Sequence, residues 1–69
     1  MAISGGACSA YRCWVIGEEL YVAATTMLRT YCATVDDAMI RLARGESVTV
    51  AGSDMAALRR ALAAAGVRA

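Results

Sequence analysis

Few side chains in this chain are suited to chemistry. It has no His, so the imidazole base of the usual Ser and Cys triads is missing. Two carboxylate pairs, Glu18–Glu19 and Asp36–Asp37, are sequence neighbours. Adjacent residues on a helix do not share a face, which makes them poor acid–base partners. The thiols are Cys8, Cys13 and Cys32. Cys8 and Cys13 stand five positions apart with neither a His nor a fourth thiol to complete a four-ligand zinc site. An odd number of Cys without a secretory signal argues against a disulfide framework, so free and mostly buried thiols are expected. Gly5-Gly6 and Gly45 belong to no phosphate-binding pattern. The expectation is no enzyme: no catalytic residue, no cofactor and no metal.

Binding remains, and the charge pattern says where to look. Formal net charge is +1, carried by 7 basic and 6 acidic residues, which gives no global electrostatic case for nucleic acid. Residues 1–40 nevertheless sum to −2 and residues 41–69 to +3, and every basic residue is Arg. Planar guanidinium groups suit protein carboxylates or phosphates, although a coding bias explains the same composition. Arg59, Arg60 and Arg68 are thus interaction candidates. Trp14 is the fourth, because aromatic anchors dominate interfaces; in a chain with one Trp and no Phe it competes for the centre of the core. Contact between Arg59–Arg60 and phosphates is the lesser reading beside a solvated helix face. No stretch reaches the ~20 strongly apolar residues of a membrane span, and the start lacks the features of a signal peptide. These signs point to a cytoplasmic protein or one carried in a particle assembled inside a cell, neither secreted nor membrane-bound.

The elements that must position these residues can be read along the chain. Residues 1–10, "MAISGGACSA", are small and polar enough for a flexible arm, and residues 11–69 form one small domain. "YRCWVI" and "LYVAA" are β-prone around a turn at Gly17-Glu18, with Trp14, Ile16, Leu20 and Val22 expected to share a face. Thr25–Thr34 is ambiguous. Its β-branched residues favour strand, but Leu28, Tyr31, Cys32, Val35, Met39 and Leu42 fall on helical spacing. The spacing favours one helix over Thr25–Arg44, re-capped near Thr34, with a separate strand as the alternative. Thr34 and Asp37 form a capping-box-like pair, and Gly45 is placed to end the helix. "ESVTVA" alternates like a strand, with Val48 and Val50 opposite Ser47 and Thr49. Ser53 is the expected cap of a second helix, Asp54–Ala65, striped by Met55, Leu58 and Leu62 and ended at Gly66. The fold class is therefore α+β: two C-terminal helices flanking a short strand, behind a β-prone segment. Large core candidates are few, with Trp14, Ile16, Ile40, Val50, Leu58 and Leu62 among them. A core so thin predicts assembly with itself or a partner.

The unit "TVDDAMIRLARGESVTVAGSDMAALRRALAAAG", Thr34 to Gly66, resembles the small head–tail joining proteins of tailed bacteriophages, the W-protein type of lambda-like phages. The likeness is carried by Leu42, Arg44 and Gly45 at the end of one helix. It continues through Val48 and Val50, then Ser53, Leu58, Arg59, Arg60 and Ala63 in the second. It implies a non-enzymatic structural protein of the virion: a homo-oligomeric ring in the neck, beneath the portal, whose partners are portal, adaptor or tail proteins. Two features depart from that family. It places a two-stranded hairpin between its helices where this chain has room for one strand, and "YRCWVIGEELYV" has no counterpart in it. The alternative reading, from another class, is a small intracellular inhibitor or regulator, anti-defence or antitoxin-like, acting by protein–protein binding.

Overall fold

A computed structural model describes residues 8–27 and 31–68. It is a small α+β domain. Strand β1 spans Cys8–Ile16, β2 Glu19–Met27, helix α1 Val35–Ala43, β3 Val48–Ala51 and α2 Met55–Ala64. The sheet is antiparallel in the order β2-β1-β3, so the first strand in sequence is the central one. Strand β1 begins inside the segment assigned by composition to an arm; the rest of that segment, residues 1–7, lies outside the described residues.

The hairpin is set by its turn. Ile16 pairs with Glu19, leaving Gly17 and Glu18 as a two-residue loop. Gly17 has φ +65° and Glu18 is not at positive φ, the sign pattern of a II′ turn, whose twist matches that of the flanking strands. The register then pairs even positions of β1 with odd positions of β2. Trp14 lies opposite Tyr21, Val15 opposite Leu20 and Cys13 opposite Val22. The expected common face of Trp14, Ile16, Leu20 and Val22 is therefore wrong: the odd register puts Trp14 and Ile16 on one face and Leu20 and Val22 on the other.

One face of the sheet carries the core. Cys13, Val48 and Val50 from the strands meet Ala38 and Leu42 of α1 and Met55, Leu58 and Leu62 of α2, all buried, with Tyr11, Val15, Leu20 and Val22 packed at the margin. Ile16 and Ile40, both core candidates by type, are exposed. Ile16 projects from the opposite sheet face, and Ile40 lies off the Ala38–Leu42 stripe that faces the sheet.

Helix α1 starts as its local signals require. Thr34 Oγ1 accepts from the Asp37 backbone N–H at 3.1 Å, an N-cap that contributes about 1 kcal/mol. Asp37 also pairs with Arg41 one turn on, at 3.0 Å. The expected helix does not form over the described residues 25–27 and 31–34. Thr25 and Thr26 are in β2, opposite Ala10 and Ser9, and Ala33 instead bridges β3, donating to the Thr49 carbonyl at 2.8 Å. Leu28, part of the apparent helical stripe, lies outside the described residues. Ladder pairing with β1 satisfied β-branched residues that have low helix propensity, and it outweighed a periodicity that was partly accidental. Helix α2 also differs at its start. Ser53 lies inside a 3-10 turn, Gly52–Asp54, and Asp54 is the N-cap residue without a side-chain bond to the backbone. The tight turn itself feeds the first helical turn. Both helices end in a glycine of positive φ, Gly45 at +86° and Gly66 at +91°, as the αL C′ position favours.

After α2 the chain returns to the hairpin. Leu20 donates its N–H to the Arg68 carbonyl at 2.8 Å, and the Arg68 N–H donates to the Glu18 carbonyl at 2.7 Å. This bridge staples the last described residue to the beginning of β2.

Candidate interaction surface

The sheet face away from the helices holds the most distinctive cluster. Trp14 and Tyr21, cross-strand neighbours, stack with ring centroids 6.1 Å apart and planes 14° from parallel. Such pairs add about 0.5–1.5 kcal/mol beyond the area that they bury. Tyr21 is 41% and Ile16 61% exposed, and Trp14 is half-buried. Tyr21 donates its hydroxyl to Glu19 Oε1 at 3.3 Å, and Glu19 lies 3.9 Å from Arg68 Nη1. Arg12, on the same face, donates to Ser47 Oγ at 3.2 Å. Farther from the turn, Ala10, Thr49 and Ala51 are buried. The surface is thus an apolar, aromatic patch near the hairpin tip with a polar rim. Its centre is aromatic and its edge carries the charge.

Of the four residues singled out by sequence, the structure brings two together. Trp14 is absent from the core cluster and belongs to the patch. Arg68 joins its rim through Glu19. Arg59 and Arg60 are exposed on α2, a helix packed against the opposite sheet face, so they do not form one site with Trp14. Tyr21, Ile16 and Glu19 were missed. Their signal was the loop length: with Gly17-Glu18 as the only turn residues, Tyr21 must face Trp14.

The core side holds a buried thiol. The Cys13 thiol is fully buried, with the Tyr11 carbonyl and Met55 Sδ each 3.8 Å away. Burial pushes its pKa above the ordinary value of 9.0, and the Arg59 charge pulls back only in part. A thiol held protonated is a poor nucleophile. Folded Cys13 should therefore resist iodoacetamide at pH 8 and react readily in urea, read by site-mapping mass spectrometry; equal labelling in both states would contradict its burial. The linkage has a definite sign. The folded chain holds this proton more tightly, so the contribution is complete below about pH 9 and is lost as pH rises through the raised folded-state pKa. Between the hairpin tip and the helices lies an open recess of about 300 Å³, lined by apolar side chains such as Val15, Met39, Leu42, Leu62 and Val67. Among the described residues, no group of three or more His, Cys, Asp or Glu is placed to hold a metal ion, and no helix is long and apolar enough to cross a membrane. Compared with known protein families, curated proteins and solved structures, the chain gives no significant match.

Proposed function

We propose that this protein is a non-enzymatic assembly component that binds protein partners through the sheet face built on Trp14 and Tyr21. The observation that carries the reading is a stacked aromatic pair, half-buried Trp14 and exposed Tyr21, on the side of the sheet opposite the core. Surface aromatics of this kind, flanked by Ile16 and rimmed by Glu19 and Arg68, are the residue types in which interface energy concentrates. The finer reading is a head–tail joining role in a phage neck, with portal, adaptor or tail proteins as partners. What supports it is the unit from Thr34 to Gly66, whose helix–strand–helix order and glycine stops match the resemblance, together with the small core. The single strand β3 between the helices, where that family has a hairpin, stands against a close match.

The test is affinity capture of the tagged chain and its Trp14→Ala variant from cells of its source, with mass spectrometry of the captured proteins. Portal or tail proteins, held by the wild type and lost at least ~10-fold by the variant, are the expected result; removal of one hot spot costs ~2 kcal/mol or more. Capture of a single nuclease or toxin would replace the joining role with the inhibitor or regulator reading. Capture unaffected by Trp14→Ala would sink the proposed face.

A further inference from the structure

Strand β2 is an edge strand, and most of its edge is open. Leu20 bonds outward to Arg68. Because N–H and C=O of one strand residue point to the same side, Val22, Ala24 and Thr26 also point outward. No described residue pairs with them. The other end of the sheet is managed differently: β3 has four residues, and Ala33 bridges its outer side. Among the described residues the sheet therefore has one long open edge. Natural edges of this length are normally blunted by charge, Pro or a bulge. This one has none of these from Leu20 to Met27, "LYVAATTM", and its ladder with β1 is unbroken over nine pairs.

We propose that this edge pairs with a second copy of the same chain, antiparallel across a two-fold axis at Ala24, to join two three-stranded sheets into one of six strands. Several observations select a second copy over another partner. In a two-fold pair the residue on the axis faces its own copy and the residues flanking it face one another's copies, so a charge at the centre would oppose its like; the window contains none. The residues around the axis, Ala23, Ala24 and Thr25, are small, and Ala23 and Ala24 are exposed, so no bulky side chain holds a second strand away. The Arg68 bridge blocks the edge at Glu18–Leu20, which leaves Val22, Ala24 and Thr26 as its outward positions. Centring on Ala24 uses all three: Val22 faces Thr26 of the copy, Ala24 faces Ala24, and Thr26 faces Val22. With two bonds exchanged per directly opposed pair, that is about six hydrogen bonds. Since the edge pairs with its own copy and the described residues offer no second long open edge, the contact is isologous and closes at a dimer.

This inference deepens the assembly reading but uses a different surface, so the two fail separately. The test is the solution mass of the full chain by light scattering or sedimentation over a concentration series. A dimer of twice the 7.2 kDa chain is expected; a monomer throughout overturns the proposal. Ala24→Pro removes an N–H that the monomer does not use, at an edge position where Pro is tolerated. It should keep the circular dichroism of the wild type and weaken the dimer roughly 10- to 100-fold. An unchanged dimer overturns the proposal. Ala24→Lys places like charges on the axis, as does Ala24→Glu. Each alone should be monomeric and folded, and a mixture of the two should restore a heterodimer. Failure of the mixture to associate overturns the Ala24 register, whatever the wild type does.

Discussion

Leu58→Ala should lower stability by about 2–5 kcal/mol, the largest loss expected of any conservative truncation in this chain. Leu58 is fully buried and has the largest side chain among the fully buried described residues. It comes from the middle of α2 and shares one buried cluster with Cys13, Val48 and Val50 of the sheet and Leu42 of α1. Truncation removes contacts to both layers at once, and the flanking elements are held by ladder bonds that keep them from closing the void. A domain of this size has only about 3–5 kcal/mol in hand, so the variant should be largely unfolded at room temperature. The measurement is urea denaturation followed by circular dichroism. Ile40→Ala, on the exposed side of α1, is the control and should shift stability by less than about 1 kcal/mol. Equal effects at the two positions would show that the core is not where the fold places it.

Gly17→Val should cost about 1–3 kcal/mol, through the backbone alone. A Cβ at Gly17 would meet nothing within 4 Å, so side-chain crowding plays no part. The cost comes from φ +65°, which a β-branched residue adopts only under strain. Gly17→Ala should therefore cost nearly as much as Gly17→Val, whereas a steric clash would grow with side-chain size. The strain falls on the turn that sets the hairpin register, so amide chemical shifts of Trp14 and Tyr21 should move as well. Wild-type urea midpoints in both variants would refute the turn assignment.

Local signals made about half of this molecule legible. Thr34, Gly45 and Gly66 mark helix ends because capping is decided by three or four neighbouring residues, and the alternation of Val48 and Val50 marks β3 for the same reason. The α+β class follows from those elements. Thr25 and Thr26 were not legible because their state depends on Ser9 and Ala10, sixteen or so positions away. Ser53 looked like a cap because residue type alone cannot distinguish an N-cap from the middle of a 3-10 turn. The aromatic patch lies between these cases. Trp14 was visible as an anchor, yet its partner Tyr21 required the loop length to be converted into a register. The role of Arg68 as part of the rim was hidden altogether, since it depends on where the chain travels after α2.

The central place of β1 also gives the molecule a history. Its even-numbered residues bond to β2, a few positions downstream, and its odd-numbered residues to β3. Cys13 waits about 35 residues for Val48. At roughly 5–20 residues added per second, that is a delay of several seconds on the ribosome. During it a hairpin can already be joined along one side while its other side, with Tyr11 and Cys13, stands open to whatever is near. The nascent hairpin thus has two exposed edges, and the last third of the sequence closes the one along β1.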